Sequence, residues 1–394
     1  MNISLDVIQT LGLAVIVFIF GSFVKSRVKV FQTYFIPAPV IGGLSFSFLM
    51  FALYNLNGTT IIFDKVLQNF FMNIFFTCVG FTVSVKLMKK SGRQGVLLAL
   101  IAVLFLVIQN LVGVSLASVF GINKLLGIAM GSISMSGGVG SGAAFGPTLE
   151  KFGAEGATTI GVAAATFGLL MGSMIGGPVA KKLIDRHNLK SDFLKSGVNE
   201  EKKLLGDVLI EKNLLNSVLI VLLGAATGTI ISMLLKFTGF TFPYYVGCLF
   251  GGAIARNLAD IGAFELRMKE VDILGNISLA LFLSMALMSL NINKLVDLAI
   301  PMLMILVIQA TTMIIYAYFI TFRSMGKSYD AAVMAAGHCG VGLGQTPNAL
   351  ANMSSVIEKN GPAPNAWFVL PVITVVFINI FNPIIITFFI NFFK

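Results

Sequence analysis

The sequence predicts an all-α polytopic membrane protein made of two five-helix repeats of inverted topology. Three observations predict this fold. Of the 394 residues, 57% are hydrophobic and only 11% are charged, too few to cover the surface of a soluble domain. The apolar residues form runs of about 20, the length of a helix that crosses a hydrocarbon core. Finally, motifs of the first half recur in the second half.

The first half contains five predicted helices and one irregular segment. The helices cover about residues 11–23, 38–54, 70–85, 96–120 and 156–180. A glycine- and serine-rich segment, 125–151, lies between the fourth and fifth helices. We predict that the first helix is retained rather than cleaved as a signal peptide, because Asp6 precedes the apolar run and the positive residues follow it.

The second half repeats this order. Its predicted helices cover about residues 214–235, 244–254, 273–290, 298–321 and 367–390, with a glycine-rich segment at 331–352. The long hydrophilic stretch 181–212 divides the halves. The predicted organisation is therefore a first repeat (1–183), a linker (184–212) and a second repeat (213–394).

The placement of the positive charges orients the helices. The net charge is +10, but the Lys and Arg residues cluster in particular loops, which is typical of membrane topology rather than of nucleic-acid binding. With both termini outside, 21 of the 27 Lys and Arg residues lie inside and 6 lie outside. The reverse orientation would violate the positive-inside rule. The linker is thus predicted to be cytoplasmic.

Two short motifs define the internal repeat. The sequence of 106–109 (LVIQ) recurs at 306–309, and the glycines of 138–142 (GVGSG) recur at 340–344 (GVGLG). The distance from the glutamine to the first glycine is 29 residues in one half and 31 in the other. Inverted repeats are typical of secondary transporters.

Each glycine-rich segment is predicted to be a re-entrant hairpin. Segment 125–151 would enter from outside and segment 331–352 from inside, so that their tips meet near the membrane midplane. Irregular backbone at that depth requires surrounding protein or a water-filled cavity. The alternative is that the glycines only allow close helix packing.

The two tips suit a small anion. Glycine permits a close approach of the backbone to a ligand, and a helix N-terminus attracts carboxylates. The residues predicted to bind substrate lie at the tips or beside them: Ser134, Ser136, Gly137, Gly138, Gly140, Ser141, Thr166, His338, Gly340, Gly342, Gln345 and Thr346.

Sodium is the predicted coupling ion. Proton-driven carriers usually hold a buried carboxylate or histidine, and few acidic residues fall deep inside the spans. Oxygen ligands for sodium are expected from six residues: Gln109, Gln309, Gly344, Asn348, Asn379 and Asn382. No cofactor or transition metal is expected, and Cys78, Cys248 and Cys339 show no paired spacing.

Blander and rival interpretations exist for several residues. Gln109, Gln309, Thr166, Asn379 and Asn382 could form interhelical hydrogen bonds, and His338 could be structural. Ser141 with His338 could be the nucleophile and base of an intramembrane serine protease. However, the repeat places Leu343 where Ser141 stands, which favours a role for the backbone. A channel is a further alternative.

These segments resemble the bacterial sodium/glutamate symporter family. The resemblance extends from about Pro37 to the last helix. The similar motifs lie in the tips and beside them, at 134–138, 142–144, 164–168, 176–180, 274–276, 329–332, 335–340 and 344–347.

The resemblance implies sodium-driven uptake of L-glutamate across the cytoplasmic (inner) membrane by a homodimer, with an elevator-type motion. The implied partners are glutamate, sodium and membrane lipids, and the implied protein is not an enzyme. Two positions depart from the family pattern: Val139 stands where histidine is usual, and Asn379 where an acidic residue can occur. The open alternative is a sodium- or proton-coupled carrier of another small dicarboxylate or amino acid.

Overall fold

The computed structural model of the chain describes residues 2–90, 92–191, 211–239, 242–290 and 298–394. Eight of the described helices are long and apolar enough to cross a membrane, which confirms a multi-pass membrane protein. One parallel strand pair was not expected: β1 (Asn2–Ser4) lies beside β2 (Thr60–Ile62). Most of the predicted linker falls outside the described residues.

The first half folds as helices close to those predicted. Their bounds are α1 Val7–Arg27, α2 Lys29–Thr33, α3 Ala38–Asn57, α4 Val66–Phe81, α5 Val85–Lys90, α6 Gly92–Val119, α7 Lys124–Ile128, α8 Gly138–Lys151 and α9 Ala157–His187. A π-helical segment, Ala129–Ile133, continues α7. Asp6 caps the N-terminus of α1 by accepting from the backbone N–H of Gln9, which is why that helix begins at Val7.

The second half contains eight helices among the described residues. Their bounds are α10 Glu211–Lys236, α11 Tyr244–Asp260, α12 Met268–Met288, α13 Ala299–Tyr316, α14 Phe322–Ser324, α15 Tyr329–Leu343, α16 Thr346–Asn360 and α17 Pro364–Phe393. The π-helical segment Ala317–Thr321 joins α13 to α14.

The helices pack as two bundles. In the flanking bundle, α1 packs on α3 and α12, and α4 packs on α11 and α12, while α10 packs on α11. In the hairpin bundle, α9 packs on α8, α15 and α16, and α17 packs on α6. The bundles meet along an apolar boundary, where the ring of Tyr245 lies 4.2 Å from that of Phe76 and 5.3 Å from that of Phe145 on α8.

The two glycine-rich segments form helical hairpins that start at opposite ends of α17. The base of hairpin 1 (α7–α8) closes where Asn123 Nδ2 donates to the Gly153 carbonyl, and Lys394 lies over the Phe152 ring. At the base of hairpin 2 (α15–α16), Asp330 accepts from the backbone N–H of Ala366. Because α17 has 30 residues and is about 45 Å long, the hairpins enter the hairpin bundle from opposite sides.

Candidate functional site

The tips of the two hairpins contact each other. Ser136 Oγ of hairpin 1 donates to the carbonyl oxygen of Gly342 in hairpin 2, at 3.2 Å. Gly138 lies against the side chain of Gln345, and a Cβ atom on Gly138 would be 2.9 Å from Gln345 Nε2. Segments 125–151 and 331–352 therefore contact each other at their tips, and their depth in the membrane stays a prediction.

A new helix begins at each tip. Gly138 starts α8 with a φ of +71°, a backbone conformation that glycine adopts without strain. Gln345 precedes α16, and neither N-cap residue, Gly137 nor Gln345, makes a side-chain capping hydrogen bond. Both helix N-termini thus bring their positive dipole ends to the junction of the tips, where they favour an anion.

The repeated glutamines tie both tips to the long helices behind them. Gln109 Nε2 on α6 donates to the Gly342 carbonyl at 2.7 Å, and Gln109 Oε1 accepts from Ser136 Oγ at 2.7 Å. Gln309 Nε2 on α13 donates to the Gln109 carbonyl at 2.7 Å. All of these side chains are buried, so Gln109 and Gln309 form a hub that fixes the positions of the tips relative to each other.

Two asparagines hold the broken helix of hairpin 1. The backbone leaves helical geometry at Gly131. There the backbone N–H of Ser132 donates to Asn110 Oδ1 at 3.0 Å, and Asn110 Nδ2 donates to Ser132 Oγ at 2.8 Å. Asn382 Nδ2 on α17 donates to the Ser132 carbonyl at 3.0 Å. Buried backbone groups freed by the break are thereby satisfied.

Two asparagines on α16 anchor hairpin 2 to α9. Asn348 Nδ2 donates to the Leu169 carbonyl at 2.8 Å, and Asn352 Nδ2 donates to the Gly172 carbonyl at 2.7 Å. The carbonyl oxygen of Asn348 is buried and has no hydrogen-bond partner. The same is true of Gln309 Oε1 and Asn382 Oδ1. Three residues predicted as sodium ligands therefore present unpaired buried oxygens.

Some predicted substrate residues remain partly open to solvent. Besides Gln345, these are Gly137, Ser141, Thr166 and Thr346. Thr166 Oγ1 donates to the Val162 carbonyl within its own helix. Next to them, Gly140 packs against Phe75 on α4 and Leu279 on α12. This part of the junction therefore faces the boundary between the two bundles.

Other predicted site residues are buried within the hairpin bundle. Ser134 Oγ donates to the Gly161 carbonyl at 2.7 Å. The His338 ring pairs through Nδ1 with Thr321 Oγ1 at 2.9 Å. No hydrogen bond joins His338 to Ser141 in the described part of the chain, so the pair lacks the geometry of a nucleophile and its base. Gly340 and Gly344 are also buried in hairpin 2.

The two positions that depart from the family pattern lie in different surroundings. Val139 is fully buried just behind the tip of hairpin 1. Asn379 on α17 is half-buried, and its Nδ2 lies 3.4 Å from Thr82 Oγ1 at the end of α4. Asn379 therefore bridges the two bundles, and it is Asn382, one turn further along the helix, that reaches the break in hairpin 1.

Asn110, Asn352 and Thr321 are the contributors that sequence reasoning missed. Asn110 follows Gln109 in an apolar helix, and a polar residue there is a signal in itself. Comparison of the two repeats does not indicate Asn110, because Ala310 stands at the matching position of the second half. Thr321 sits in a π-helical segment, whose extra residue redirects side chains in a way that helical periodicity does not predict.

Comparison with known proteins assigns the chain to a family. The profile of the family described as sodium/glutamate symporter matches residues 3–362. The chain belongs to the sodium/glutamate symporter family. It is 37% identical over 396 residues to the sodium/glutamate symporter of Haemophilus influenzae and 38% identical over 387 residues to that of Escherichia coli. Each comparison covers 97% of this chain and 96% of the relative.

A solved structure is also similar over most of its length. The sodium proton antiporter of Methanocaldococcus jannaschii is matched with a TM-score of 0.45 and 16% identity, covering 98% of this chain and 96% of that one. Membership of the symporter family identifies the chain as a transporter rather than an enzyme.

Proposed function

We propose that this chain carries L-glutamate together with sodium into the cell, and that glutamate binds where the hairpin tips meet. The observation that carries the proposal is the convergence of two uncapped helix N-termini, at Gly138 and Thr346, on one partly open surface. Such ends stabilise carboxylates without basic side chains. The names of the relatives supply the identity of the anion.

The surface around the tips offers further donors to a carboxylate. Ser141 contributes a hydroxyl group, and Gln345 contributes a side-chain amide. Together with the two helix N-termini, these donors suit a molecule with two carboxylates better than a simple inorganic anion.

Sodium is proposed to bind among the unpaired amide oxygens. Hard cations bind amide and backbone carbonyl oxygens, and an unpaired buried oxygen is unfavourable without such a partner. Asn348 is the best placed, because it lies beside Gly344 at the tip of hairpin 2, with its Nδ2 held by the Leu169 carbonyl and its Oδ1 unpaired. Gln309 and Asn382 are candidates for other sites. His338 is committed to Thr321, which favours sodium over a proton as the coupling ion.

The proposed transport cycle moves the hairpin bundle along the flanking bundle. Two observations support this motion. The two bundles pack separately, and the hairpins enter from opposite sides, as inverted repeats require. At the boundary, a cavity of about 350 Å³ lies beside Lys65, Pro147 and Glu150 on the predicted outside. The homodimer and the external termini stay predictions from the resemblance and the charge pattern.

Replacing Gln345 by alanine tests the substrate site. We expect the KM for glutamate to rise about tenfold or more, because a hydrogen bond to a charged group is worth roughly 1.5–3 kcal/mol. Initial rates of labelled glutamate uptake measure this. The control is Gln32→Ala, an exposed glutamine whose bonds go to the carbonyls of Lys25 and Ser26. An unchanged KM in Gln345→Ala would exclude the hairpin tips as the glutamate-binding site.

Replacing Asn348 by alanine tests the sodium site. We expect the sodium concentration for half-maximal uptake to rise about tenfold, since one buried oxygen ligand is lost. The thermal stabilisation of the purified protein by NaCl over KCl should shrink in parallel. Asn360→Ala, which removes only a bond to Val356 on the same helix, should leave both unchanged. Equal sodium dependence in the two variants would exclude Asn348 as a ligand.

A further inference from the structure

A small basic cavity lies at the predicted cytoplasmic end of the hairpin bundle, away from the tips. Its volume is about 120 Å³, and it is bounded by the C-terminal end of α9 and by the segment from the π-helical turn to Lys327. Arg186, Arg323 and Lys327 line it, and Lys182 stands one turn before Arg186 on the same face of α9. We call this the basic cavity.

Aromatic rings hold the basic side chains in place. Arg186 Nη1 donates to the Tyr318 hydroxyl at 3.1 Å, and Lys182 Nζ lies 5.9 Å from the centre of the Tyr318 ring. The guanidinium of Arg323 lies 5.5 Å from the centre of the Phe319 ring. These contacts order the cations without neutralising them.

The positive charges of the cavity are not paired with acids in the described part of the chain. The ion pairs Arg256–Asp260 and Arg267–Glu265 involve none of the cavity residues. Asp185 is exposed on α9 and makes no ion pair with them. Four clustered cations repel one another, so an anion with several oxygens would stabilise the arrangement.

The surroundings favour a lipid over a dissolved anion. Phe319 lines the cavity and is also 46% exposed; its neighbour Ile320 in the π-helical segment is 39% exposed, and Ile315 near the end of α13 is 53% exposed. An exposed apolar strip thus runs from the basic cavity along the π-helical segment to α13. A charged pocket continuous with such a strip can take a phosphate group and the acyl chains attached to it.

We propose that the basic cavity binds the phosphodiester headgroup of an anionic phospholipid of the inner leaflet. Arg186 and Arg323 contact the phosphate, and Lys182 and Lys327 add to the positive potential. The exposed face of α13 takes the acyl chains. The site is independent of the glutamate site, although Thr321 in the adjoining π-helical segment pairs with His338 of hairpin 2.

The test measures lipid binding by the purified full-length chain. The protein, delipidated in a neutral detergent, is titrated with phosphatidylglycerol, phosphatidylcholine or inorganic phosphate and followed by native mass spectrometry. The double variant Arg186→Gln/Arg323→Gln should bind phosphatidylglycerol about 25-fold more weakly, since each cation near a lipid surface contributes about fivefold. The matched control is Arg27→Gln/Lys29→Gln, where Arg27 rests on the Phe23 ring on the same predicted side.

A second variant tests the proposal even if the double variant Arg186→Gln/Arg323→Gln misfolds. Lys327→Asn removes one charge at a position with a φ of +54°, which asparagine tolerates, and should weaken phosphatidylglycerol binding about fivefold. An equal loss in the Arg27→Gln/Lys29→Gln control, or equal binding of phosphatidylcholine and phosphatidylglycerol by the wild-type chain, would overturn the proposal. Displacement of phosphatidylglycerol by millimolar phosphate would overturn the lipid assignment and identify a soluble anion site.

Discussion

Replacing Gly168 by alanine is expected to lower sodium-driven glutamate uptake roughly ten- to a hundredfold, whereas Gly172→Ala should retain most of it. Both glycines lie on the face of α9 that packs on hairpin 2. A Cβ at Gly168 would be 2.3 Å from the carbonyl oxygen of Leu343, the last residue before the tip of hairpin 2. At Gly172 the nearest atoms would be 3.4 Å away, an ordinary contact distance.

The expected size of the Gly168→Ala effect follows from the cost of overpacking. Inserting a methyl group into a packed core costs about 1–3 kcal/mol, and a backbone carbonyl cannot rotate away as a side chain can. The tip of hairpin 2 must shift, taking Gln345 away from Gly138 of hairpin 1. Initial rates in proteoliposomes with matched protein content measure the loss. Equal activity of the two variants would contradict the proposed role of the α9–hairpin 2 contact.

Replacing Gln109 by leucine should abolish most transport, by about a hundredfold. The Gly342 carbonyl loses one of its two donors and Ser136 Oγ loses one of its two acceptors, both inside a buried site. Each lost buried partner costs about 1–3 kcal/mol. We expect the protein still to insert and purify, but with a lower thermal midpoint and disordered tips.

The matched control for Gln109 is Gln94→Ala on the same helix. Gln94 is exposed, and its side chain only accepts from Asn365 Nδ2, so uptake should stay within twofold of wild type. The measurements are glutamate uptake rates and thermal melting of the purified Gln109→Leu and Gln94→Ala variants. Wild-type uptake by Gln109→Leu would show that the glutamine hub does not position the tips.

The helices and the hairpins could be predicted because they depend on local patterns. In lipid, a long apolar segment satisfies its backbone hydrogen bonds by forming a helix. The apolar runs therefore predict the positions of α6 and α13 closely. The matched glycine motifs at Gly138 and Gly340 lie in the two segments whose tips contact each other. Even the unusual φ of Gly138 is consistent with the choice of glycine at that position.

The orientations of single side chains could not be predicted, since they depend on packing between distant segments. His338 was expected at the substrate or in a structural role, and its ring turns toward Thr321, 17 residues earlier. Asn110 reaches the break at Gly131, a contact that no repeated motif signals. The strand pair of Asn2–Ser4 and Thr60–Ile62 was missed because three-residue strands are too short for periodicity.

The most direct test of the central claim is glutamate accumulation by the purified chain in proteoliposomes under an imposed sodium gradient. We expect labelled L-glutamate to accumulate above its external concentration with an inward sodium gradient, and not when potassium replaces sodium or when a sodium ionophore collapses the gradient. Accumulation driven by a proton gradient in the absence of sodium, or no sodium-dependent uptake of glutamate, would contradict the account.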